Sequence, residues 1–139
     1  VSADIEGGWK AWLRARAGFT TVFGNRAFLR ADAKAAYPQL VITRIGGGDD
    51  TSEANIETAL VQFDVWGELN DRHGCHQAKS AVRDELRAIR GGTTLLNAGC
   101  AVLGLPRVLD DRFLPDPSTN RPRYVLTVEC VTIDPTITD

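Results

Sequence analysis

The chain has 139 residues, 43% of them hydrophobic and 24% charged, with a formal net charge of −2. These values fit one ordinary globular domain able to bury a single core, and they argue against a nucleic-acid binder with a basic surface. No apolar run approaches the roughly 18–20 residues of a membrane span, so no membrane partner is expected.

The N-terminal stretch VSADIEGGWKAWLRARAG places acidic residues ahead of its apolar ones, so it does not read as a secretory signal. With no Met in the chain, Val1 is a candidate processed start. Cys75, Cys100 and Cys130 are odd in number and widely spaced, which fits reduced thiols in a cytosol rather than a disulfide framework.

In chain order, the first predicted element is a helix over about residues 3–16. Ser2 is its N-cap candidate, Asp4 and Glu6 suit the positive end of the helix dipole, and Gly18 is expected to end it. Ile5, Trp9, Trp12 and Leu13 share one side. Gly7 and Gly8 cost about 1 kcal/mol each relative to Ala, so packing of the tryptophans must carry this helix. Residues 20–37 show no clear pattern. After Pro38, QLVITRIGG reads as a strand ended by Gly46–Gly48, DDTSEAN as a mobile tip, and IETALVQFDVWGE as the antiparallel partner. On that partner Val61, Phe63 and Val65 face one way; Leu60, Gln62, Asp64 and Trp66 face the other.

A second helix is predicted over about 71–90, capped by Asn70 or Asp71 and stopped by Gly91-Gly92. Cys75, Lys79, Val82, Leu86 and Ile89 form its inward stripe, with Arg83, Asp84 and Arg87 outward. Residues 93–113 give a short strand and then the first arm of a long hairpin, Asp110 to Ile133. Pro115 and Pro117 interrupt the ladder over Leu114–Asn120. Beyond Pro122, Tyr124, Leu126, Val128 and Cys130 alternate with Val125, Thr127, Glu129 and Val131; on its face Cys130 serves as a small packing residue. The expected fold class is α+β over residues 1–139 as one domain: a mainly antiparallel sheet with two helices packed on one face and long β-hairpins. The expected core is Trp9, Leu13, Val61, Phe63, Val65, Val82, Leu86 and Ile89.

The candidate chemistry is sparse. His73-Gly74-Cys75-His76 lacks the fourth ligand of a zinc site and reads as a helix start with solvent-facing histidines. The glycines of RIGGGDD lack phosphate-loop spacing and precede two aspartates. Asp110, Asp111 and Asp116 alternate with arginines, as solvated ion pairs do. Arg14, Arg16, Arg26 and Arg30 read as surface charges, or as phosphate contacts in an assembly that conducts DNA. There is no nucleophile–base pair and no cofactor fingerprint, so no catalytic residue, metal or cofactor is expected. What remains is contact chemistry. Two hairpin tips, Gly46–Asn55 and Leu114–Arg123, are expected to dock partners, with Arg44, Asp64, Arg112, Asp116, Arg121 and Arg123 as candidate interface residues.

The WKAWL helix, the GNR segment, PQLVITRIGGG, VQFDVWGE, the alanine/arginine-rich helix and LPDPSTNRPRYVLTVEC follow in an order that resembles phage tail-completion proteins. This is the tail terminator or minor tail protein group of siphophages and gene transfer agents. The resemblance implies an α+β subunit of a ring, hexameric in form, that caps the tail tube, stops its polymerisation and meets the head–tail connector. The implied partners are copies of itself, the tail tube protein and the connector protein. DNA would pass through the lumen without sequence-specific binding. The implied location is the head-proximal end of the virion tail, after assembly in the host cytoplasm. A head–tail connector or head-completion subunit is an alternative with similar small rings; a small-molecule-binding α+β domain is the alternative from another class.

Overall fold

The computed structural model describes residues 3–51 and 56–135. Their elements run α1 (Ile5–Arg14), α2 (Ala17–Phe23), β1 (Ala27–Phe28), β2 (Gln39–Thr51), β3 (Ile56–Trp66), α3 (Arg72–Arg87), β4 (Thr93–Asn97), β5 (Cys100–Phe113) and β6 (Arg123–Ile133). The strands form one sheet in the order β1-β2-β3-β6-β5-β4, antiparallel throughout except for β1 beside β2. The fold class is α+β, with three helices among the described residues where two were expected.

The extra helix comes from a break in the first prediction. Asp4 is the N-cap, its Oδ1 accepting the Gly7 amide at 3.1 Å; Ser2 lies outside the described residues. Arg16 adopts an extended conformation (φ −95°, ψ 124°), which stops α1 and starts α2 with Gly18 inside it. Phe19 and Phe23 of α2 stack at 4.5 Å and are fully buried, and that burial holds this short helix in place. Gly8 has a packing reason: a Cβ there would sit 3.0 Å from the Cys100 Cβ, so glycine lets α1 close onto β5.

The strand from Pro38 does not stop at the glycines. β2 continues to Thr51, and Gly46, Gly47 and Gly48 pair with Leu60, Ala59 and Thr58 past a register shift after Arg44. Gly47 has φ +105°, and a Cβ there would strike the Thr58 carbonyl. Only glycine carries the strand through that point. Most of the expected first tip is therefore strand, and residues 52–55 lie outside the described residues.

α3 is capped by Asp71, whose Oδ1 accepts the Gly74 amide at 2.9 Å, and it ends at Arg87, short of the predicted residue 90. The helices share one face of the sheet. There Leu40, Ile42, Val61, Phe63, Val65, Leu126 and Val128 meet Trp9, Leu13, Phe19, Phe23, Val82 and Leu86. The eight core residues expected from the sequence are all buried, each contributing about 1.5–3 kcal/mol as a large apolar group. Trp9 sits edge-on to Phe63 at 5.8 Å. The opposite face has no helix over it among the described residues.

Candidate interaction surface

The register of β2, β3, β6 and β5 fixes which side chains share rows on that uncovered face. Gln39, Trp66 and Arg123 form one row; Val41, Asp64, Val125 and Arg112 the next; Thr43, Gln62, Thr127 and Asp110 a third. Asp64, Arg112 and Arg123 thus come within two rows at the end of the sheet nearest the β5–β6 turn. The segment that showed no pattern in the sequence supplies the neighbouring wall. Gln39 Nε2 donates to the carbonyls of Asp32 (2.5 Å) and Ala35 (3.3 Å), pinning that loop and bringing Tyr37 to the site.

Two arginines are fixed in place there. Arg121 donates from Nη1 to the Gly67 carbonyl at 3.0 Å, its guanidinium 3.9 Å from the Tyr37 ring centre. Arg123 donates from Nε to the Leu114 carbonyl at 2.9 Å and lies 4.7 Å from the Trp66 ring centre. Its Nη1 is 3.8 Å from Asp64 Oδ2. Burial pushes the Asp64 carboxyl above the ordinary carboxylate range, against the opposing pull of the Gln62 hydrogen bond (2.8 Å) and of Arg123.

The turn itself is ordered by its own hydrogen bonds. The Leu114 amide donates to Arg123, the Asp116 amide to Arg121 and the Asn120 amide to Asp116. The Asp116 carboxylate accepts the Ser118 hydroxyl and amide, which hold it below its ordinary range. Asp116, Thr119 and Arg121 line a shallow cleft of about 270 Å³ with Ala31, Tyr37 and Trp66.

Arg112 is exposed and bonded to Asp110 at 2.6 Å. Arg44 does not join this group. It lies on the helix-covered face, bonded to Glu57 at 3.0 Å and to the Gly46 carbonyl at 3.1 Å, while its amide donates to Glu6.

Several sequence expectations are corrected by the geometry. Asp111 is not a solvated partner of a neighbouring arginine. Two register shifts in β5 set it opposite Leu126 on the covered face, where it accepts Lys79 (3.0 Å) and Arg83 (2.7 Å). Burial pushes its carboxyl up, but the bonds from Arg83 and Lys79 outweigh that and hold it below the usual value. Arg83 accordingly turns toward the sheet rather than outward. Three of the four early arginines are ties within the fold: Arg14 to the Ala27 carbonyl (2.7 Å), Arg16 to Glu85 (2.7 Å) and Arg26 to the Pro38 carbonyl (2.9 Å). Sequence spacing carries no signal for such pairs, which lie up to 69 positions apart.

His73 and His76 are exposed while Cys75 points inward, its thiol donating to the Val65 carbonyl at 3.3 Å. Among the described residues no three His, Cys, Asp or Glu side chains gather as a metal site. The cysteines are buried and free. Burial raises the thiols of Cys75 and Cys130 to about 11 and that of Cys100 to about 12.

Arginine, tyrosine and tryptophan preorganised on a rigid sheet end are the side chains that dominate protein–protein contacts. Fold and surface together define a class: a small α+β domain with an arginine–aromatic end to its sheet. The comparisons give the family. Residues 10–133 match the family model described as Tail completion protein gp17, and the chain belongs to that family. A chain of the solved structure titled "Virion of native gene transfer agent (GTA) particle" has the same fold, with a TM-score of 0.71 at 16% identity over 94% of this chain and 98% of that one. No curated protein matches the sequence. This protein is a structural component of a phage-type tail.

Proposed function

We propose that this chain is the subunit of a ring, hexameric in form, that caps the tail tube, stops its polymerisation and joins the tail to the head–tail connector. It then sits at the head-proximal end of the virion tail, having assembled in the host cytoplasm, and DNA passes through the lumen without sequence-specific binding. The observation that carries this reading is the match to a tail-completion family along nearly the whole chain.

The arginine–aromatic sheet end supports a role in docking to the tube protein, the connector or a second copy. Arg121 and Arg123 are held by backbone carbonyls and rings, so little side-chain freedom is lost when a partner arrives. The same ties make these two arginines poor probes, because reversing their charge disturbs the fold as well as the surface. Arg112 is the cleaner probe, being 63% exposed.

The test is to polymerise tail tube protein with and without this protein, measuring tube lengths by negative-stain microscopy and ring mass by native mass spectrometry. Rings near six subunits and tubes capped at one end are expected. Arg112→Glu is expected to keep the wild-type melting temperature and weaken capping. Tubes of equal length with and without the protein would overturn the proposal.

A further inference from the structure

A ring of identical subunits needs two different patches on each, one meeting the other on the next copy. α3 carries such a pair at its two ends. At its C-terminal end a groove of about 400 Å³ lies between the helix and β5, with an apolar floor of Leu86, Ile89, Pro106 and Val108. Leu105, 59% exposed, stands on its lip, and Arg87 and Arg90 form its rim. β4 covers β5 only from Cys100 to Leu103, so no described strand lies along this stretch. Pro106 lacks an amide donor and the register shifts disrupt the ladder, so the edge is blunted against strand addition. What it offers is a socket for side chains.

At the other end the loop between β3 and α3 presents Leu69, half exposed, with Glu68 and Asp71 exposed on either side. Neither the Glu68 carboxylate nor the Arg90 guanidinium has a polar partner among the described residues. A single exposed leucine is ordinary. An acid-flanked leucine and an arginine-rimmed apolar socket on one molecule are complementary in shape class and in charge. The 16 residues of α3 separate them by about 24 Å, so the knob cannot fill the socket of its own chain.

We propose that Leu69 of one subunit seats in the α3–β5 groove of the next, with Glu68 opposite Arg90 and Asp71 toward Arg87. This rests on the ring reading above. The contact is heterologous, and repeating it around an axis that closes gives the ring.

The test uses full-length protein carrying Leu69→Cys and Leu105→Cys together, treated with a short bismaleimide; Cys75, Cys100 and Cys130 are buried and stay silent. A ladder of covalent oligomers up to the ring number is expected, with monomers only from either variant alone. Glu68→Arg and Arg90→Glu, each of which sets like charges face to face, should each raise the concentration needed for assembly about tenfold, and the double variant should recover most of the loss. Rings without a ladder, or a cross-link to tail tube protein instead, would overturn this contact and leave the ring standing. Cross-linking by Leu69→Cys alone would mean a symmetric contact and would also overturn it. A wild-type protein that stays monomeric both in solution and on tubes would remove the ring reading and this contact together.

Discussion

Replacing Phe63 with alanine tests the central layer of the fold. Phe63 is fully buried in the middle of β3, between Ile42 on β2 and Leu126 on β6, with the Trp9 ring edge-on to it at 5.8 Å. Truncation removes roughly 100 Å² of buried apolar surface, about 2.5 kcal/mol at ~25 cal/mol per Å². Loss of the edge-to-face contact adds about 0.5–1.5 kcal/mol, and the unfilled space brings the total to about 3–5 kcal/mol. At roughly 2.1 cal/mol/K of unfolding entropy per residue, a chain of 139 residues should lose about 10–17 °C in Tm. Leu60, three positions earlier on β3, points to the uncovered face, and Leu60→Ala should cost no more than about 1 kcal/mol. Both are measured by calorimetry at one dilute protein concentration, because assembly makes Tm concentration-dependent. A smaller shift for Phe63→Ala than for Leu60→Ala would mean that the faces of β3 are assigned backwards.

Asp111→Asn removes the charged acceptor of Lys79 and Arg83 and should cost about 1–3 kcal/mol at pH 7 in urea melts. Because the folded-state carboxyl is held low, its stabilisation is complete above the ordinary value of about 3.9 and lost as pH falls through the lowered one. The gap between wild type and variant should therefore close in acid, and an unchanged gap would refute the assignment. Asp64 has the opposite sign: its raised carboxyl makes wild-type stability fall as pH rises from about 3.9 through the raised value. Asp64→Asn should therefore match or exceed wild type at pH 7, and a large loss would show that the Arg123 contact outweighs burial. The three thiols should react with Ellman's reagent at pH 8 only as fast as the protein opens; immediate reaction of any one would refute its burial.

Elements that bury one face at a regular period were legible in the sequence. The alternation through Val61, Phe63 and Val65 and the stripe through Cys75, Val82 and Leu86 each record a local periodicity that the core enforces. α2 was not legible, because AGFTTVF is short, carries a glycine and two threonines, and is held by its stacked phenylalanines. The continuation of β2 through its glycines depends on the pairing offered by β3. The surface divided in the same way. The composition of one turn pointed to Arg112, Arg121 and Arg123, which the structure places at one end of the sheet. Tyr37 and Trp66 were missed as their platforms, since Tyr37 arrives on a loop fixed by Gln39. Arg44 stands apart from that group because alternation along β2 sets it on the covered face with Leu40 and Ile42, where it meets Glu57.

The pairing at the centre of the sheet also governs how the chain reaches this structure. β3 and β6 join residues 57 to 77 positions apart, from Trp66 with Arg123 to Ile56 with Ile133. Closing so long a loop has a large entropic cost before any contact rewards it, which places this protein among the slower-folding, high-contact-order topologies. During synthesis β2 and β3 emerge as a hairpin whose inner edge waits for β6. A chain truncated before Arg123 has no strand to join its two halves. The uncovered face, with its paired charges and arginine–aromatic end, is therefore completed only after β6 has entered the sheet. Half-made subunits lack that face altogether.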